Sequence, residues 1–205
     1  MGLYRERILP LLVDWTLDDG IVREQRRLAL SGLRGTVLEV GLGTALNLPY
    51  YPTAVTRLIA VEPSRGMLRR AGARVAAAPF PVEFIGFDGE GRYPLAEGAV
   101  DAVVTTLTLC TIPEPERAIA EFRRVLKPGG EYRFLEHGAS SSPGVLRWQN
   151  RLNPLQNVLG GGCNLNRPID RLVGGGGFAR LRLEQFTLPK VPRIVGTAYR
   201  GVAVK

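Results

Sequence analysis

Between residues 36 and 137, short β-branched runs and helix-length amphipathic stretches take turns, and few folds accept that rhythm. Strands are expected over 36–40, 57–61, 82–86 and 100–106, with a further turn and strand through "KPGGEYRFLEH". Helices are expected near 45–50 and from Ser64, a plausible N-cap followed by apolar Met67, Leu68, Ala71 and Val75. Another should begin near Glu114, with Ile119, Phe122, Val125 and Leu126 on one side. Strands that return through helices lie parallel, which predicts one α/β sheet with helices on both faces. The tail differs. Residues 143–160 read as a helix, "GGGCNLNR" as a loop, and Gly174–Gly177 as a helix stop and turn. Two closing strands over 180–188 and 194–204 are joined by "PKVP", too short for a helix, so they should pair antiparallel.

The first 30 residues read as helical, with Leu3, Ile8, Leu11, Leu12 and Trp15 marking an apolar side. Pro10 predicts a kink and Asp18-Asp19-Gly20 a break, after which Ile21, Val22, Leu28 and Leu30 mark a second amphipathic piece. A chain of 205 residues, 45% hydrophobic and 22% charged, fits one globular domain without a linker.

The net charge of +8 raises nucleic acid or an anionic membrane as partners. Yet the arginines are scattered in ones and twos, with no basic block or aromatic-interleaved ribbon, so nucleic acid is not expected. No apolar run approaches the roughly 20 residues of a spanning helix. The start, "MGLYRERILP", mixes charge into its first turn, unlike a secretory leader. A cytoplasmic location is expected, with peripheral membrane contact left open. Two cysteines, Cys110 and Cys163, and one histidine, His137, fall short of the usual structural zinc site. No metal is expected, and both thiols should be reduced.

The stretch "VLEVGLGTALN", residues 37–47, passes from strand to glycine turn toward a helix, an arrangement that serves nucleotide-like ligands. A dinucleotide site wants a third small residue where this chain has Leu46. The small residues fall instead at Gly41, Gly43 and Ala45, behind Glu39, whose charge would repel a pyrophosphate but suits an ammonium. Glu62, ending the second strand, can accept a ribose diol. Asp88 and Gly89, after the third, can read an adenine edge. Ammonium, diol and adenine without phosphate describe S-adenosylmethionine.

In this order, "EVGLGTALN", "AVEPSRGML", "GFDGE", "DAVVTTLTLCTI" and "EFRRVLKPGGEYRFLEH" resemble the class I S-adenosylmethionine-dependent methyltransferases over residues 35–137. "TLTLCTI", "LEHGAS", "GCNLNR" and "YRGVAVK" look like the alkyl-thiol methyltransferases and their bacterial relatives. The resemblance implies a Rossmann-like seven-stranded, mostly parallel sheet with an antiparallel last strand. It also implies a helical lid over 1–33, a donor-binding core over 34–137 and acceptor-side elements over 138–205. S-Adenosylmethionine would be the donor and S-adenosylhomocysteine the product, with a small molecule as acceptor.

Carried over residue by residue, Glu39 would hold the methionine ammonium through a turn of Gly41, Leu42 and Gly43. Glu62 would take the diol, Pro63 and Met67 would pack on adenine, and Asp88 and Gly89 would read its edge. Thr105, Thr106 and Leu107 would face the donor. His137 is the candidate base or orienting group, or else the cap of a strand end, and Glu136 would orient it or be solvated. Cys110, Cys163 and Asn164 are candidates for the acceptor pocket, as is Tyr4 with Leu11, Leu12 and Trp15 of the lid. Cys110 has packing as its plainer role. The acceptor expected from the resemblance is a hydrophobic alkyl thiol. The alternatives are a phospholipid, a quinone, or no acceptor at all in a donor-binding interaction module.

Overall fold

The computed structural model describes residues 2–88 and 91–205. A π-helical turn, Tyr4–Ile8, runs into α1 (Leu9–Leu17) and α2 (Gly20–Leu30). The core follows as β1 (Gly35–Val40), β2 (Val55–Val61), α3 (Arg65–Ala76), β3 (Val82–Phe84), β4 (Val100–Thr106), α4 (Pro115–Val125) and β5 (Leu126–His137). The chain closes through α5 (Pro143–Leu159), α6 (Ile169–Gly174), β6 (Arg180–Thr187), α7 (Arg193–Gly196) and β7 (Thr197–Val204).

The strands form one sheet in the order β3-β2-β1-β4-β5-β7-β6. β1 to β5 run parallel, and β7 lies antiparallel between β5 and β6. That is the reversed last strand expected from the sequence. β1 pairs with both β2 and β4, so the strand order switches there and a crevice opens beyond their carboxyl ends.

Side chains alternate along each strand. Leu38 and Val40 therefore pack with Phe122 of α4 and Ile169 of α6 on one face. Val37 packs with Leu30 of α2 and Ala71 of α3 on the other. Glu39 shares the face of Val37, which sets a carboxylate beneath α2. Ser64 caps α3 as expected, its hydroxyl accepting from the Met67 N–H at 3.3 Å. In β5 the pairing skips from Val100–Leu126 to Ala102–Glu131, so "KPGG" projects as a bulge with Gly129 at φ +75°.

Three local expectations are corrected. No α-helix covers 45–50; only a 3₁₀ turn, Leu48–Tyr50, forms there. Gly41, Gly43 and Ala45 all take positive φ, and alternate left-handed residues cannot propagate a right-handed helix. The closing strands do find room for one helical turn, α7, so β7 begins at Thr197 and not at 194. β3 ends at Phe84, two residues early. Pro10 marks the change from π to α geometry: lacking an N–H, it follows a wide turn in which the Leu9 N–H reaches the Tyr4 carbonyl. Among the described residues no helix is long and apolar enough to cross a membrane.

Candidate active site

A cavity of about 710 Å³ lies over the carboxyl ends of β1 and β4, within the range of small-molecule sites. The glycine turn forms one wall. A Cβ on Gly41, at φ +78°, would stand 2.2 Å from Thr108 Oγ1, so only glycine lets the turn approach the end of β4. The Gly43 N–H donates to Glu62 Oε2 at 2.8 Å, and the Ser64 N–H donates to Glu62 Oε1 at 2.8 Å. Such a turn usually gathers a phosphate. Here it already holds a carboxylate, which a pyrophosphate would have to displace. Each Glu62 oxygen keeps a lone pair for a hydroxyl. Burial pushes the Glu62 carboxyl up, while the two N–H groups oppose the shift.

Glu39 is 1% exposed and lies at the root of the cavity. It accepts from Asn47 Nδ2 at 2.7 Å and from the Tyr51 hydroxyl at 2.8 Å. Burial raises its carboxyl to about 7, against the pull of those two bonds and of Arg26. Asn47 Nδ2 also donates to Thr106 Oγ1 at 2.9 Å, and Arg26 Nη1 donates to Asn47 Oδ1 at 2.6 Å. Pro63, Met67, Phe87 and Asp88 line the opposite end. The Asp88 side chain accepts from the Arg92 N–H at 2.8 Å.

Of the donor-side candidates, Glu39, Gly41, Leu42, Gly43, Glu62, Pro63, Met67, Asp88, Thr106 and Leu107 line this cavity. Gly89 lies outside the described residues. Thr105 does not line it: its hydroxyl is turned to the Tyr132 hydroxyl at 2.8 Å, on the far face of the sheet. Leu107, at φ +54°, carries local backbone strain where β4 meets the cavity.

The lid also differs from expectation. Leu9, Val13 and Leu17 line the cavity, whereas Leu11, Leu12 and Trp15 face outward, Trp15 being 81% exposed. The helix carries large apolar residues on opposite faces, so hydropathy alone does not choose its inner face. Ion pairs from Asp14 to Arg70 and Arg74 of α3 choose it. The loop after α5 closes the roof: a Cβ on Gly161 would stand 2.5 Å from Leu9 Cδ2.

Tyr4, Cys110, His137, Cys163 and Asn164 are not among the lining residues. Tyr4 donates to the Leu159 carbonyl and so ties the lid to the end of α5. The other four form a cluster beside the cavity floor. Cys110 Sγ lies 3.6 Å from Cys163 Sγ, which lies 4.0 Å from His137 Nδ1. Asn164 donates from both N and Nδ2 to the Cys110 carbonyl, each at 3.0 Å. The hydrogen bond between the thiols and burial push Cys110 up, while Cys110 and His137 draw Cys163 down. Glu136 neither orients His137 nor meets solvent. It is fully buried and accepts from the N–H groups of Thr108 at 3.2 Å and Cys110 at 3.3 Å, holding the turn after β4.

A Rossmann-like sheet with its last strand reversed, and a glycine turn holding a carboxylate at the switch point, define the class I S-adenosylmethionine-dependent methyltransferases. A methyltransferase domain family matches residues 38–134. The chain is 34% identical over 174 residues to human thiol S-methyltransferase TMT1A, covering 83% of this chain and 70% of that one. It is 32% identical over 127 residues to a phosphatidylethanolamine N-methyltransferase of Cereibacter sphaeroides, covering 62% of each. In fold it matches a methyltransferase of Thermotoga maritima with TM-score 0.68 and 19% identity, over 95% of this chain and 94% of that one. The chain belongs to the methyltransferase family that includes thiol S-methyltransferase TMT1A. It is an enzyme whose methyl donor is S-adenosylmethionine, and the Glu62 cradle, the buried Glu39 and the apolar end at Met67 fit that donor.

Proposed function

We propose that this chain methylates the sulfur of a small hydrophobic thiol. The observation that carries this reading is the apolar acceptor side of the cavity. There Leu9, Val13 and Leu17 of the lid share the wall with Leu107, Ile112 and the Gly160–Gly161 loop. The likeness to a thiol S-methyltransferase over most of the chain supports it.

When bound, S-adenosylmethionine supplies an already activated methyl group, so the chain's task is alignment and exclusion of water. Glu39 and Asn47 hold the amino-acid end. Glu62 takes the ribose diol, Pro63, Met67 and Phe87 enclose the adenine, and Asp88 reads its edge. Thr106, Leu107 and Thr108 set the sulfonium against the acceptor side. Arg5 of the π-helical turn also lines the cavity and can favour an acceptor thiolate, whereas Arg117, also lining it, is paired with Glu114 at 3.5 Å. Cys110, His137, Cys163 and Asn164 support the floor from behind, and Tyr4 fixes the lid to the roof loop.

The test is calorimetric titration with S-adenosylhomocysteine, then methyl transfer on the same sample to alkyl thiols, a quinol and phosphatidylethanolamine vesicles. Turnover confined to thiols is expected. Turnover on the quinol or the vesicles alone overturns the acceptor assignment. Donor binding without turnover on any of them favours an interaction module, and no binding overturns the donor site.

A further inference from the structure

Cys110 and Cys163 set two sulfurs 3.6 Å apart beside the cavity floor, and the proposed methyl transfer uses neither. Their surroundings differ. Cys110 is 1% exposed, and its N–H donates to Glu136 Oε2 at 3.3 Å. The hydrogen bond to Cys163 and burial keep it protonated. Cys163 is only half-buried, and its sulfur lies 4.0 Å from His137 Nδ1. The buried Nε2 of that imidazole meets no partner among the described residues, so the ring's polar contact is with the sulfur. Cys110 and His137 draw Cys163 toward its thiolate. An accessible thiolate beside a buried thiol is the arrangement in which one sulfur meets an oxidant and the other resolves it.

The chain around Cys163 is also built to give. Three glycines precede it, with Gly161 at φ +66° and Gly162 at φ +110°. A Cβ on Gly162 would stand 3.1 Å from Thr111 Cγ2, so its absence leaves room for the loop to settle toward the turn after β4. A disulfide holds its sulfurs about 2.05 Å apart, so the 3.6 Å gap must close by about 1.5 Å. With Cys110 pinned by Glu136, the loop makes that approach. Gly160 and Gly161 line the cavity, and Gly161 lies against Leu9 of the lid. Drawing the loop toward Cys110 therefore takes it off the lid.

We propose that Cys110 and Cys163 are a reversible oxidation site for a peroxide, and that the disulfide formed there loosens the lid over the acceptor side of the cavity. The Cys163 thiolate displaces hydroxide from the peroxide O–O bond and becomes a sulfenic acid. Cys110 then attacks that sulfur, and the second hydroxide leaves as water with the Cys110 proton. One hydrogen peroxide is reduced to water and hydroxide, and two sulfurs are oxidised to one disulfide. The effect on turnover rests on the acceptor side proposed above; the cross-link and the movement of the lid do not.

The full chain is treated with one equivalent of hydrogen peroxide and followed by peptide mapping, hydrogen exchange and methyl transfer to a hydrophobic thiol. The expected product links Cys110 to Cys163, and dithiothreitol reverses it. Cys110→Ser should stop at a sulfenic acid on Cys163 that dimedone traps. His137→Gln should slow the oxidation about tenfold and move the pH profile of Cys163 alkylation by iodoacetamide upward. Amide exchange across residues 4–17 should rise at least about threefold on oxidation while β1 and β2 stay unchanged. The initial rate of methyl transfer, read before the acceptor thiol reduces the bond, should fall about tenfold. Oxidation without a cross-link, reaction at Cys110 first, or a cross-link that leaves exchange in the lid unchanged overturns the proposal. So does an unchanged initial rate in a chain that methylates thiols. A chain that cross-links and loosens its lid, but methylates no thiol when reduced, upholds the site and refutes the acceptor assignment instead. Should a variant not fold, the peptide map and exchange of the wild-type chain decide.

Discussion

Replacing Glu136 by glutamine removes one titrating group from beneath the turn that follows β4. The carboxyl is completely buried, with no cation within ion-pair distance among the described residues, and accepts only N–H and hydroxyl groups. Burial raises it from 4.5 to about 7. Between those values the folded chain keeps a proton that the unfolded chain has released, so stability falls as pH rises through the window. The displacement corresponds to about 3 kcal/mol, fully lost above about pH 7. Glutamine cannot titrate. Urea unfolding of both proteins from about pH 5 to about pH 8 should therefore show the variant gaining about 3 kcal/mol relative to wild type. Taking the difference cancels the common contributions of Glu39 and the two cysteines. At the acid end the variant is the less stable protein, since one amide oxygen must replace two carboxyl oxygens as acceptors. A difference that stays flat with pH would refute the reasoning. A difference of opposite sign would mean that the N–H groups of the turn outweigh desolvation and hold Glu136 as an anion.

Gly41→Ala places a Cβ 2.2 Å from Thr108 Oγ1 at a positive φ, which should cost about 2 kcal/mol and roughly 4–8 °C in Tm by calorimetry. Asp14→Ala removes the ion pairs to Arg70 and Arg74. It should expose residues before Gly20 to limited proteolysis while the sheet stays resistant, and raise the dissociation rate of S-adenosylhomocysteine about tenfold. Cys110 and Cys163, with sulfurs 3.6 Å apart, should join on treatment with diamide, which takes up the two thiol hydrogens as the S–S bond forms. Mass spectrometry of the intact chain should show the loss of two hydrogens without dimer, and Cys163→Ser should abolish it.

The fold was legible because its evidence is local and repeated: each strand is a short β-branched run and each crossover a helix with one apolar side. The same holds for Glu39, Glu62 and the glycines, which fall in one contiguous motif and at one strand end. What stayed hidden needed distance or an all-or-none choice. Cys110 and Cys163 are 53 positions apart, and only the fold brings their sulfurs together. The inner face of α1 was undecidable from hydropathy, because Leu9, Val13 and Leu17 compete with Leu11, Leu12 and Trp15, and a single acid, Asp14, settles the matter. Thr105 and Thr106 look alike in sequence, yet strand alternation sends one to Tyr132 and the other to the cavity. Arg26 did leave a signal, an arginine inside an otherwise apolar helical stripe. Phe87 lines the cavity beside Asp88 but stands in no periodic pattern that would mark it in the sequence.

Asp14 reaches the Thr44 hydroxyl of the glycine turn as well as the two arginines of α3. The helix that covers the cavity is thereby latched to the glycine turn proposed to cradle the donor. Under the proposed function, the latch predicts that donor settles before the acceptor joins and that the spent adenosyl product is the last to leave. Product inhibition by S-adenosylhomocysteine should accordingly be competitive against donor and noncompetitive against acceptor. Added salt, by loosening Asp14, should speed the final release and with it the steady-state rate.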